Sequence, residues 1–507
     1  MAESKKLYRT SHPWFLTVCL SLLLATFLWA QAPVGQPAQT ENQAQQPAPQ
    51  SAPPGKPAER TAGTPDHEQK ISPKEADELF RSVDEILQFA SKDTSLPIKH
   101  EVQRRLTSRD EVVAYLEKTM AEDKDAQRLR RSEMVLKKFG LLPRDFDLQT
   151  FLVTLLREQV AGYYDPKTKT VNLLDWLGAE QQRPVLAHEL THALQDQSFE
   201  LEKWMKAGDT DLDEIKQPTA ADIDKDEISE ARQAVVEGQA MVVLVDYMLA
   251  PTGQSLLASP QVAEALKQGM LVGTSDSPEF QNAPIFLREA LTFPYRYGLD
   301  FIAELLRSGG KEKAFAGVFS NPPQSTRQIM EPKTYLSGER LPEMPLPDFK
   351  QDFRNYERFD IGSVGELDTA MLIDQYAGAE ASHNLYPHWR GGYYYAARPK
   401  GDSSAPLALL YVSRWSDQEH AAKFAAIYAE ALAKRYKHVH EVREGDKPAG
   451  DMQALDSLGG THSWLTEDGP VVVAVDGASM LVTESFDQPT TERVERELFG
   501  TTGTTKH

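Results

Sequence analysis

Apolar and polar residues follow one another along this chain with repeats that change from stretch to stretch, and the changes mark out its parts. From Trp14 to Ala30 the run is apolar and uncharged, and Lys5, Lys6 and Arg9 precede it. This is the layout of a secretory signal, with small residues at Ala30 and Ala32 as cleavage points. The alternative is an uncleaved anchor, because the run is close to the shortest helix that spans a bilayer. From Gln31 to about Ile71, Pro, Gln and Ala dominate. Such a segment cannot bury enough surface to offset chain entropy and reads as a tether.

A helical repeat begins at Ser72-Pro73, a cap-like serine and first-turn proline ahead of Leu79, Val83, Ile86 and Leu87. Residues 108–111, SRDE, form a capping box before Val112, Val113 and Leu116, and Gly140 reads as a helix stop after Met134, Val135 and Phe139. The repeat then shortens to two. Residues 160–175, VAGYYDPKTKTVNLLD, alternate around Asp165-Pro166-Lys167 and predict a hairpin whose second strand is about 170–174. Helical spacing returns at 184–199, 227–250 and 299–308. The acidic stretch from Asp209 to Glu230 lacks the spacing of a calcium loop and reads as a solvated loop. Beyond about Pro345, strands at 392–398, 407–414, 470–475 and 479–485 surround a helix at 416–435, and Gly391-Gly392 after Trp389 reads as a turn. The fold class expected is α+β.

Composition narrows the function. The chain has 507 residues, 40% of them apolar, which suffices for a sizeable core. Its formal net charge is −20, so a nucleic-acid backbone would be repelled and is excluded as the main partner. The lone cysteine, Cys19, lies inside the N-terminal apolar run. An exported remainder without cysteine takes its stability from packing rather than disulfides. No asparagine heads an Asn-X-Ser/Thr sequon, which points to a bacterial periplasm, cell envelope or secreted setting.

The candidate chemistry sits in 184–199, PVLAHELTHALQDQSF. Residues four apart on a helix lie nearly above one another, so His188 and His192 can converge on one ion. Two imidazoles from one rigid turn suit zinc, and Glu189, turned one residue around the helix, suits the general base that takes a proton from metal-activated water. The extension that would supply a nearby third histidine fails, since Gln195 and Ser198 stand where Gly and His are needed. No histidine follows until His383, so a carboxylate is expected. Glu237 is the only charge from Gln233 to Val245, and such a buried carboxylate needs a cation. Glu230, on the same face, is the fallback. The alternatives are histidines satisfied by hydrogen bonds, and a Glu237 exposed beside Gly238 and Gln239 or paired with an arginine.

Together with GYYDPKTKTVNLL, AHELTHALQDQSF and VEGQA, the segments FPYRYGLDF (293–301) and PPQSTRQIMEPKTY (322–335) make residues 150–340 resemble zincins of the gluzincin type, in the bacterial peptidase MA-like group. The resemblance implies a zinc metallopeptidase, an endopeptidase by default, holding one Zn²⁺ through His188, His192 and Glu237 with Glu189 catalytic. It also implies that the strand near 170–174 edges the cleft and takes an extended peptide by strand addition. Departures exist: Met241 stands where many gluzincins have a supporting aspartate, and Glu331 where the group has a basic residue. Asp196 is either a histidine-orienting group or a surface cap, and Tyr295, Tyr297 and Arg327 are candidates for stabilising the oxyanion. His438 and His440 read as surface residues. The organisation implied is a signal peptide or N-terminal anchor (1–32), a disordered linker (33–71), a helical region (72–145), a zincin-like domain (146–345) and a C-terminal α+β module (346–507). The partner is a peptide or protein substrate. The rival is a catalytically inactive zincin-like envelope scaffold or binding protein.

Overall fold

The computed structural model describes residues 70–500 except 121–122, 160–161, 207–211, 213–214, 263, 266–276 and 443–455. The N-terminal signal or anchor and nearly all of the tether lie outside the described residues.

The chain is α+β, as its changing repeats predict. Helix α1 (Pro73–Thr94) opens with the capping box of Ser72 and Glu75 and buries Leu79, Val83, Ile86 and Leu87. It is followed by β1 (Gln103–Thr107), α2 (Arg109–Met120), α3 (Asp123–Phe139) and α4 (Leu148–Gln159). The hairpin then forms as β2 (Tyr163–Asp165) and β3 (Thr170–Leu174).

Strand β3 does not edge a cleft, which corrects the sequence reading. It is the centre of a three-stranded sheet, with β1 parallel on one side and β2 antiparallel on the other. With both sides paired, β3 has no ladder groups left for a peptide, and the edge facing away from it belongs to β2. Strand β1, QRRLT, lacks the alternation that announces a strand.

Three long helices build the centre. Helix α5 (Ala179–Phe199) is buried all round from Val185 to Asp196, α6 (Lys225–Leu249) packs on it, and α7 (Ile285–Lys311) packs on α6. Helix α6 is apolar and long enough to cross a membrane, yet two-thirds of its most apolar window (67%) is buried inside the protein, where it forms core. Helix α7 starts well before 299 and passes through Pro294, a residue that removes one intrahelical bond and hides the helix from a pattern search. The acidic stretch also differs from a solvated loop at its end. Asp226, Glu227 and Glu230 fall in the first turns of α6, and Glu227 is buried, accepting bonds from the Thr326 amide and hydroxyl at 2.9 Å.

Helix α8 (Thr326–Met330) leads to a seven-stranded antiparallel sheet. Its strands are β4 (Tyr356–Ser363), β5 (Trp389–Pro399), β6 (Ala408–Trp415), β7 (Val439–Val442), β8 (Gly460–Thr466), β9 (Gly469–Asp476) and β10 (Ser479–Glu484), in the order β4-β5-β6-β10-β9-β8-β7. Gly391 and Gly392 lie within β5 at a bulge opposite β6, and not in a turn; Arg390 is the extra residue, and Gly391 beside it has φ +148. Both faces of the sheet are covered. Leu409, Tyr411 and Val482 point to a core with α10 (Gln418–Arg435), while Leu410, Val412 and Leu481 point to Phe353 and Phe486 on the other side. Helix α9 (Glu366–Ala377) and α11 (Gln488–Phe499) complete the layer.

Candidate metal centre

Helix α5 presents His188 and His192 one turn apart, and α6 brings Glu237 to them from 49 residues further along. Glu237 Oε2 lies 3.1 Å from His188 Nε2 and 3.5 Å from His192 Nε2, and the two imidazole nitrogens are 3.0 Å apart. Three donor atoms thus form a triangle whose edges match the spacing of about 3.3 Å that a tetrahedral ion imposes on donors about 2.0–2.1 Å away. The donor set, two imidazoles and a carboxylate, fits a divalent cation. Glu237 is fully buried, so the reading of it as exposed falls.

Gly238 explains how Glu237 arrives there. A Cβ on Gly238 would stand 2.3 Å from the Gly298 backbone, and one on Gly298 would stand 2.2 Å from the Ala234 carbonyl oxygen. The α6–α7 crossing is therefore a contact of main chain with main chain, and no side chain fits at either position. This ties VEGQA to FPYRYGLDF physically.

The positioning group behind His192 escaped the sequence reading. Gln195 Oε1 accepts from His192 Nδ1 at 2.9 Å, while Gln195 Nε2 donates to the Val236 carbonyl at 3.0 Å and to Gln239 Oε1 at 2.8 Å. Gln239 in turn donates to the Ala314 carbonyl at 2.6 Å. This chain of amides fixes the tautomer that leaves Nε2 for the centre. Asp196 orients no histidine: its carboxylate accepts from the Tyr164 hydroxyl at 2.7 Å and Lys169 at 2.6 Å, fastening the hairpin to α5, and it caps the Leu201 amide at 3.2 Å, a buried cap rather than a surface one.

Glu189 turns toward the small sheet. Its Oε2 accepts the Tyr164 amide of β2 at 2.8 Å, and its buried Oε1 has no hydrogen-bond partner among the described residues. Burial pushes its carboxyl up to about 8, opposed by His192 and reinforced by Glu237. Burial likewise lowers His188 to about 4. For His192 burial works downward but Glu237 outweighs it, raising the imidazole to about 9; Glu237 itself, against its burial, is held near 2 by the two histidines.

Tyr295 lies beside the centre, its ring centroid 6.3 Å from that of His188. Tyr297 instead packs on Phe293, and Arg327 is held elsewhere: it bonds Glu366 at 2.7 Å, Glu339 at 2.8 Å and Glu331 at 2.9 Å, a knot joining α8 to α9. Glu331 thus serves that knot. Met241 is packed in the core. Glu230 does not join the ligand cluster. His438 and His440 are exposed. A second histidine group, unnoticed in the sequence, gathers on the sheet layer. His388 and His420 stack with centroids 3.5 Å apart, and Asp417, which caps α10, binds His420 Nδ1 at 2.7 Å.

No protein-family model matches this chain, and no curated protein or solved structure matches it, so the functional reading stands on the geometry of its own residues.

Proposed function

We propose that this chain is an exported, zinc-dependent metallopeptidase of the zincin type, with one ion held by His188, His192 and Glu237. The observation that carries the proposal is the meeting of those three donor atoms from two helices, with the carboxylate of Glu189 adjoining on α5. Zinc bound there would polarise a peptide carbonyl and bring the pKa of a water to about 7. Glu189 has one oxygen tied to β2 and the other without a partner, and that second oxygen takes the proton and passes it to the leaving amine. Gln195 keeps His192 in the ligating tautomer. The outer side of β2, where the Tyr164 amide is already held by the base, adjoins the place for an extended substrate backbone. Export follows from the basic residues and apolar run before Ala32, and the substrate is a peptide or protein.

The second reading is an inactive scaffold of the same fold. It is favoured by how tightly the site is closed, Glu189 being only 1% exposed and His188 0%. Metal analysis and peptide hydrolysis with Glu189→Gln separate the two. The variant is expected to keep one zinc per chain and lose turnover by about 10³-fold, within the range for a removed general base. A wild-type protein with zinc but no hydrolysis above Glu189→Gln would establish the scaffold instead.

A further inference from the structure

Beside the centre lies a cavity of about 320 Å³, walled by α3, α4, α6, α7 and the start of α9. One part of its wall is apolar, with Leu136, Leu148, Leu287 and Phe293. Another is acidic, with Asp226, Glu230 and Asp368. Arg128 answers Asp226 at 3.1 Å, and Asp368 receives the Gly365 amide at 2.9 Å. Glu230 has neither: it is an exposed residue that lines the cavity, and the nearest charges acting on it, Asp368, Glu227 and Asp226, are all negative. A second observation points the same way. Gln233, one turn further along α6, is 8% exposed, lines this cavity, and its Nε2 has no hydrogen-bond partner among the described residues. A buried amide without a partner is costly, so the native state carries an unmet demand at this wall.

Position links the cavity to the centre. Glu230, Gln233 and Glu237 share one face of α6, and two turns at 1.5 Å per residue put Glu230 roughly 10 Å from Glu237 along the axis. Across α7, Phe293 and Pro294 line the cavity and the next residue, Tyr295, packs against His188. An extended peptide advances about 3.3 Å per residue, so the side chain of a residue close to the bond at the centre reaches this distance.

We infer that the cavity is the specificity pocket of the proposed peptidase and takes a substrate side chain with an apolar stem and a cationic head, that of lysine or arginine. The inference rests on the peptidase reading for its role and on the cavity alone for its ligand chemistry. The stem lies along Leu287 and Phe293, the head reaches Glu230, and the Gln233 amide is left to meet a substrate carbonyl.

Two measurements on the full chain test it. In the first, wild type, Glu230→Gln and Asp368→Asn cleave paired peptides differing only by lysine against norleucine. Wild type is expected to prefer lysine at least 10-fold in kcat/KM, and the ratio is expected to fall toward 1 in Glu230→Gln. Cleavage without a basic preference, or a ratio unmoved by Glu230→Gln, overturns the pocket assignment while leaving the peptidase standing. In the second, hexylamine and hexanol are compared as thermal-shift ligands. The amine is expected to raise the unfolding temperature more than the alcohol in wild type and not in Glu230→Gln; equal effects overturn the inference. Absence of any cleavage with this amine-selective shift intact would sink the peptidase reading and leave the binding chemistry in place.

Discussion

Two fully buried glutamates show how differently a protein can accommodate the same charge. Glu484, at the end of β10, is met entirely by its own chain: Arg435 approaches both oxygens at 2.7 Å, the Tyr428 and Tyr436 hydroxyls donate at 2.7 and 2.5 Å, and Lys138 stands at 3.7 Å. Glu237 on α6 is met by two imidazoles that also face each other. In the first cluster both carboxylate oxygens are met by donors, the Arg435 guanidinium and two hydroxyls, which is what a structural ion pair needs. The second gathers lone pairs at one point, and it leaves Glu189 Oε1 and His188 Nδ1 buried without partners among the described residues. The carboxylate at 484 is answered by donors of fixed charge, whereas the one at 237 shares its place with two imidazoles that can equally accept, the arrangement on which the metal proposal rests.

Breaking the contrast at the satisfied end should have the largest effect. Arg435→Met leaves Glu484 uncompensated, and urea unfolding monitored on the sheet layer should show about 3–5 kcal/mol lost. A loss under 1 kcal/mol would mean the cluster is not what holds that layer.

Acid should remove part of the same contribution. Burial works to raise the Glu484 carboxyl, yet Arg435, Lys138 and the two tyrosine hydroxyls outweigh it and lower it from its ordinary 4.5 to about 2. A carboxyl with a lowered folded pKa stabilises fully above its unfolded value and loses that contribution as pH falls through the folded one, a difference of about 3 kcal/mol. In metal-free protein the stability gap between wild type and Arg435→Met should therefore narrow from pH 4.5 down to 2. A gap constant over that window would break the assignment.

The smallest effect sharpens the other end. Gln195→Ala removes the acceptor behind His192, and a competition titration with a chromogenic chelator should show metal affinity lower by ~10- to 100-fold, beyond the loss of stability in the metal-free protein that follows from the unpaired Val236 carbonyl and Gln239. Unchanged affinity would show that Gln195 only joins α5 to α6.

The same contrast explains what could be read in advance. His188, Glu189 and His192 announce themselves because a helix converts fixed spacing into proximity, and Glu237 because a lone charge in an apolar run demands a cation. Gln195 carried no such mark: its role comes from where Val236 and Gln239 land, which is tertiary. Strands β5, β6, β9 and β10 were legible from apolar runs, whereas β1, β4, β7 and β8 were not, since exposed or polar positions such as those of GTHSWLT take their structure from neighbours. The first half of α7 is hidden behind Pro294, whereas α6 is legible from 227, two residues after its start, and what its opening charges conceal is the burial of Glu227.

Because neither Gly238 nor Gly298 has room for a methyl group, Glu237 is anchored by the crossing of two backbones and not by whatever it coordinates. A carboxylate fixed in that way is in place before any ion arrives. If the proposed zinc is bound there, the protein should then tolerate being stripped by a chelator and refilled with cobalt, without refolding between the two steps. The visible absorption of that cobalt would give an inspection of the donor atoms that colourless zinc cannot provide.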